Sequence, residues 1–107
     1  ESQKGIDNLS SILNSYGERI SAIIIGPNDM SIMLGTPFNC KSQIMEAAVQ
    51  KVFDISRSLG KSCGIFCNDI ADAEHYRAMG ANVLWTASDL QFYCRGFAET
   101  MNELKAL

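Results

Sequence analysis

Asp29 is the side chain best placed to do chemistry, because it follows a strand that ends abruptly. Ile20-Ser21-Ala22-Ile23-Ile24-Ile25 is a run of branched apolar residues with almost no alternation. That pattern belongs to a strand buried on both faces, as in a parallel sheet covered by helices. Gly26-Pro27 stops it, and Asn28-Asp29 follows at once. In α/β folds ligands are met at the C-terminal ends of strands, so a carboxylate there can hold a metal ion or a substrate. The same residues also make a turn, with Asp29 capping a short helix that begins at Met30.

The remaining reactive side chains offer less. Cys40, Cys63, Cys67 and Cys94 have no metal-ligand spacing, since a zinc site needs paired Cys-x-x-Cys units or a histidine pair. Cys63 and Cys67 fall on one face of a strand, where small buried thiols are common, and the cysteines read as reduced and inert. A cysteine nucleophile would need a histidine partner. The single histidine, His75, lies mid-helix and reads as solvated.

These residues must be positioned by regular elements, and the hydrophobic spacing supplies them. A helix from about Gly5 to Tyr16 carries Ile6, Leu9, Ile12, Leu13 and Tyr16 as one apolar stripe, ending at Gly17 as a left-handed glycine. The Ile20–Ile25 strand follows, then a single helical turn carrying Met30, Met33 and Leu34, and a loop from Thr36 to Lys41. A long helix from about Ser42 to Leu59 turns Met45, Ala48, Val49, Val52, Ile55 and Leu59 to the core and stops at Gly60. Ser62–Cys67 is a second strand, in which Gly64 marks a close approach of backbone or ligand. Asn68 or Asp69 caps a helix running to Met79, closed by Gly80, and Val83–Thr86 is the third strand. Ser88 and Gln91 form a capping box opening a last helix to about Leu104, with Asp89 favourable to the helix dipole.

Helix and strand alternate with short connections, which gives right-handed parallel βαβ units in one structural unit over residues 1–107. Three strands leave two open hydrophobic edges, which natural domains seldom leave uncovered. The length of 107 residues suits one small domain, and 47% hydrophobic with 20% charged residues is the composition of a globular protein. A net charge of -3 argues against a nucleic-acid surface, which needs clustered Lys and Arg that the sequence does not show. No apolar run approaches the ~20 residues of a membrane span and no charged-then-apolar leader opens the chain, so no membrane partner and a cytoplasmic setting are expected.

Three pieces of the chain together resemble the HpcH/HpaI aldolase and citrate lyase family, the metal-dependent pyruvate aldolases. Glu1-Ser2, Asn8-Leu9 and Ile12-Leu13 resemble the family's metal-binding Glu, a Ser or Thr, and an Asn-Leu-x-x-Ile-Leu helix. Ile25-Gly26-Pro27-Asn28-Asp29-Met30-Ser31, with Leu34-Gly35, resembles its Gly-Pro-x-Asp-Leu-Ser segment. Gly60-Lys61, Gly64-Ile65-Phe66, Gly80-Ala81 and Ser88-Asp89 resemble its last two strand-to-helix units. Met30 replaces a Leu, and Trp85-Thr86-Ala87-Ser88 replaces an Ala-Val-Gly-Val stretch, which alters the pocket at the last strand. The resemblance covers the whole chain but about the last two fifths of a family member, an eight-stranded β/α barrel.

The resemblance therefore implies an α/β fold that is the C-terminal part of a (β/α)8 barrel, three parallel strands alternating with helices. It implies that Glu1 and Asp29 are ligands of a divalent cation, Mg²⁺ or else Mn²⁺ or Co²⁺, a hard ion that takes oxygen donors. The partners implied are pyruvate, whose carboxylate the Asn28 and Asp29 amides would hold, and an aldehyde against Phe66. The activity implied is class II aldolase chemistry, making or breaking a carbon-carbon bond through a pyruvate enolate. The family's substrate-orienting arginine and base-associated histidine belong to earlier strands, and Arg19, Arg57, Arg77 and Arg95 do not match them. No catalytic residue is assigned here, and the chain alone is expected to be inactive. The alternatives are a non-catalytic fragment serving as an assembly, antigen or binding module, and a citrate-lyase-like enzyme acting on an acyl-CoA. Open strand edges and the last helix, Leu90 to Leu104, point to a homo-oligomer.

Overall fold

The computed structural model describes residues 2–107. Three parallel strands, β1 (Ala22–Ile25), β2 (Ser62–Cys67) and β3 (Val83–Thr86), lie side by side in the order β1-β2-β3. Ile24 pairs with Gly64, which pairs with Val83, and Phe66 pairs with Trp85. Helices α1 (Gln3–Asp7), α2 (Leu9–Tyr16), α3 (Pro27–Met33), α4 (Gln43–Ser58), α5 (Ile70–Met79) and α6 (Asp89–Lys105) alternate with them.

The core lies on one side of the sheet. Ile25, Cys63, Ile65 and Cys67 are buried against Val49, Val52 and Phe53 of α4 and Tyr76 of α5. Phe53, absent from the spacing-based stripe, is among the most buried residues, since α4 packs along a wider face than a narrow seam. The opposite face is bare. Ile24 is 41% exposed there, so the expectation of a strand buried on both faces is corrected. Branched residues announce a strand that wants two covered faces, and only one cover is present among the described residues.

Local chemistry explains most boundaries. The Ser2 hydroxyl accepts from the Gly5 amide (3.1 Å) and caps α1. The expected single first helix is broken at Asn8, whose side chain donates to the Lys4 carbonyl at 2.8 Å and so competes with the helical ladder. Ile12 and Tyr16 of the expected stripe are exposed. Gly17 is not left-handed: its φ is -58° and it opens a 3-10 turn, Gly17–Arg19. An added Cβ there would stand 3.3 Å from Lys61 Cε, a tight contact that a flexible side chain can relieve, and Lys61 donates to the Gly17 carbonyl. At the same N-terminal end of the sheet the Asn82 side chain accepts from the Cys63 amide at 2.8 Å.

Helix α4 closes as a Schellman motif, with Lys61 N–H donating to Ser56 O (2.8 Å), Gly60 N–H to Arg57 O (3.0 Å), and Gly60 at φ 68°. Gly80 (φ 114°) ends α5 with the same pair of bonds. At Gly64 the close approach expected in β2 is made by the backbone: a Cβ there would fall 2.1 Å from the Val83 carbonyl oxygen. The Ser88–Gln91 capping box opens α6 as expected, yet no residue of that helix is buried. The radius of gyration, 16.8 Å, exceeds the ~13 Å of a compact chain of this size because α6 projects, and the molecule measures 60 × 29 × 22 Å.

Candidate active site at the C-terminal edge of the sheet

Asp29 lies in the first turn of α3, directly after β1. The helix begins at Pro27 with Gly26 as its N-cap, so the expected helix start at Met30, capped by Asp29, is corrected. Proline at the first helical position loses no bond, because that amide has no intrahelical acceptor in any case. The first ladder bond runs from Met30 N–H to Gly26 O (3.0 Å), which leaves the Asn28 and Asp29 amides free of it. The Asp29 carboxylate is exposed and has no hydrogen-bond or ion-pair partner among the described residues.

A shallow groove at the C-terminal ends of all three strands is lined by Gly26, Pro27, Asn28, Asp29, Phe66 and Trp85. It gathers the three described positions assigned from sequence, Asn28, Asp29 and Phe66. Phe66 is held edge-to-face against Trp85, with ring centroids 5.2 Å apart and planes at 84°. Glu1 lies outside the described residues. Among those residues no cluster of three or more His, Cys, Asp or Glu side chains is assembled for a metal. Asp29 alone offers a free carboxylate in the groove, the oxygen donor a hard cation uses.

Ser31, buried in α3, was given no role from sequence. Its hydroxyl donates to the Asn28 carbonyl (2.6 Å) and accepts from the Phe38 amide (2.9 Å), fixing the segment that bears Asn28 to the loop beyond α3. In that loop Phe38 has φ 60° and is exposed. A second groove shares the Pro27, Asn28 and Phe66 wall and continues to Phe38, Lys41, Asn68 and Asp72.

Asp72 anchors this second groove. Its buried carboxylate accepts from the Asn68 amide and side chain (both 3.1 Å) and pairs with Lys41 Nζ at 2.8 Å. Burial pushes the Asp72 carboxyl up, but the hydrogen bonds from Lys41 and Asn68 outweigh it and hold the group below its ordinary value. The same contact raises Lys41. Of the two expected caps for α5 it is Asp69 that serves, accepting from the Asp72 amide at 2.8 Å. The Tyr76 phenol is pushed up to about 12 by burial, with the Asp72 charge adding, so it stays protonated.

Burial likewise raises the Cys63 and Cys67 thiols and keeps them from acting as nucleophiles. Cys40 and Cys94 are also free, Cys40 half-buried and Cys94 exposed. His75 Nε2 sits 3.2 Å from Glu46 Oε1, out of hydrogen-bond alignment and outside both grooves.

The profile of the HpcH/HpaI aldolase/citrate lyase domain matches residues 1–95, both strand-end grooves included. The chain belongs to that family.

Among curated HpcH/HpaI relatives, the 5-keto-4-deoxy-D-glucarate aldolase of Salmonella paratyphi C is 36% identical over 90 residues, 84% of this chain and 34% of that protein. A solved HpcH/HpaI family protein from Burkholderia cenocepacia J2315 superposes with a TM-score of 0.89 at 26% identity, over 98% of this chain and 40% of that one. The HpcH/HpaI aldolase of Desulfitobacterium hafniense superposes at 0.85 and 26%, over 100% and 41%. The chain thus spans about a third of its curated relatives' length, and its three strands are the C-terminal part of the family's (β/α)8 barrel. The bare face of the sheet, with Ile24, Phe66 and Trp85, is the face a barrel turns inward.

Proposed function

We propose that this chain supplies one wall of the active site of a divalent-metal-dependent aldolase that makes or breaks a carbon-carbon bond through the enolate of pyruvate. The observation that carries the reading is Asp29, an exposed carboxylate without a partner among the described residues, just past the C-terminal end of β1 in one groove with Asn28 and Phe66. Its donor type fits Mg²⁺, or Mn²⁺ or Co²⁺, with Glu1 as the second ligand. A bound divalent cation would supply Lewis-acid charge where the enolate oxygen develops.

The chain's own residues do the rest of their part by binding. The Asn28 and Asp29 amides, free of the α3 ladder, receive the carboxylate of the 2-oxo acid. Ser31 fixes the Asn28 carbonyl and thereby the direction of the Asp29 amide, which shares its peptide plane. Phe66 meets the aldehyde. No side chain of this chain takes the proton, so the isolated chain is inactive in this reading.

The whole protein is best tested by the metal-dependent exchange of pyruvate methyl protons with deuterated solvent. Asp29→Ala is expected to lower that exchange by about a hundredfold or more. Undiminished exchange in the variant, exchange that persists in chelator, or turnover by the isolated chain would remove the reading. Preference for an acyl-CoA over a pyruvate-derived aldol would move it to the citrate-lyase side of the family.

Self-association belongs to the same proposal. Leu90, Cys94, Phe97, Met101 and Leu104 recur along α6 at alternating four- and three-residue spacings, the seam of a helix that packs against another. No residue of α6 is buried, so the seam is unspent within the chain, and a second copy is the partner proposed for it.

A further inference from the structure

Trp85 is the only tryptophan of the chain and the largest side chain on the bare face of the sheet, and it is 55% exposed. Its position is not accidental to the groove. Register places it beside Phe66 at the C-terminal end of the strands, and the two rings meet edge to face, so each fixes the other's orientation. The wall this chain gives the groove is apolar at Pro27, Phe66 and Trp85, and polar only at Asn28 and Asp29. Asn28 and Asp29 stand together in the first turn of α3, while the aromatic pair stands on β2 and β3. The groove therefore has a polar side and an aromatic side.

From this division we infer that Trp85, braced by Phe66, is a specificity-determining residue for the second reactant and selects an aldehyde carrying an apolar or aromatic substituent over an anionic one. The inference rests on the aldolase reading: the polar side takes the 2-oxo acid, which leaves the aromatic side to the acceptor. A flat indole offers a large apolar contact at little conformational cost, and an uncharged acceptor loses less by leaving water for it than a carboxylate does. The competing role for Trp85 is barrel filling. A filler supports the fold without choosing between acceptors, so the two roles separate experimentally.

The test uses the whole protein with a divalent cation and pyruvate, with benzaldehyde and glyoxylate as alternative acceptors. Pyruvate methyl exchange in the wild type, with no acceptor present, reports on the aldolase reading alone. The wild type is expected to favour benzaldehyde in kcat/KM, and Trp85→Ala to reduce that preference by about tenfold, mainly through KM for benzaldehyde. Trp85→Phe is expected to keep most of the preference and guards against a variant that fails to fold. Benzaldehyde should also quench tryptophan emission saturably in the wild type and less in Trp85→Phe, a readout independent of turnover. A wild type that exchanges pyruvate protons but prefers glyoxylate overturns the inference and leaves the aldolase reading standing. So does an unchanged ratio in both variants. A wild type without exchange removes the aldolase reading and this inference with it.

Discussion

Ala87 follows β3 with φ 54°, a left-handed backbone in which a Cβ is crowded. Replacing it by glycine relieves that crowding at some cost in chain entropy, so Ala87→Gly is expected to stabilise the fold by about 1 kcal/mol, read from urea unfolding. Asp72 works in the opposite sense. Asp72→Ala leaves the Asn68 amide and Lys41 without their acceptor and is expected to cost about 1–3 kcal/mol. Because the folded carboxyl is lowered, its stabilising contribution is complete above the ordinary carboxylate range and is lost as pH falls through the folded value. The unfolding midpoints of wild type and Asp72→Asn should therefore converge in acid, and a gap that widens there would contradict the pairing. Asp72 drew no attention in the sequence, and Ala87 drew it only as part of the stretch that departs from the family. A left-handed alanine has no local signature, and Asp72 owes its role to Lys41, on a loop far away in the chain.

At the scale of the element, Gly64 carries the clearest consequence. A methyl group there would overlap the Val83 carbonyl, so Gly64→Ala must push β3 away from β2. We expect a loss of about 3 kcal/mol, with amide exchange accelerating first in Val83–Thr86. Slow, unaltered exchange in β3 would show that the strands adjust without parting. This glycine was legible because a residue without a side chain inside an apolar strand already implies a neighbour too close for one. The strand ends, the Gly60 and Gly80 stops and the Ser88–Gln91 box were legible for the same reason: each is written in residues a few positions apart. The break at Asn8, the 3-10 turn at Gly17 and the exposure of Ile24 were not. They depend on a side chain turning back on its own helix, on Lys61 arriving from another element, and on a sheet face with no cover. The groove was half legible, since Asn28 and Asp29 follow the end of β1 and Phe66 stands near the end of β2. Trp85 was legible only as a departure from the family at the last strand, its pairing with Phe66 needing the register, and Ser31 became part of the groove only through its buried hydrogen bonds.

For the whole molecule, the projecting α6 and the bare sheet face are expected to decide behaviour in solution. Sedimentation should show the chain as a dimer or larger, whereas a monodisperse monomer would count against the proposed seam. Cys94 gives a second measurement, because it lies on that seam and is exposed in the single chain. Its reaction with a thiol reagent should slow as protein concentration rises, while Cys63 and Cys67 stay unreactive until the chain unfolds. Among the described residues no helix is long and apolar enough to cross a membrane.

The two poles of the sheet do different jobs. The Lys61–Gly17 and Asn82–Cys63 bonds stitch its N-terminal pole, whereas every residue proposed to touch a reactant stands at the other. The stitches of the N-terminal pole thus lie apart from every residue proposed to select a reactant, whereas the Asp72–Lys41 pair shares the reacting pole. An engineer could rigidify the stitched pole, or graft a tether onto it, and leave the reacting pole to be reshaped for a new acceptor.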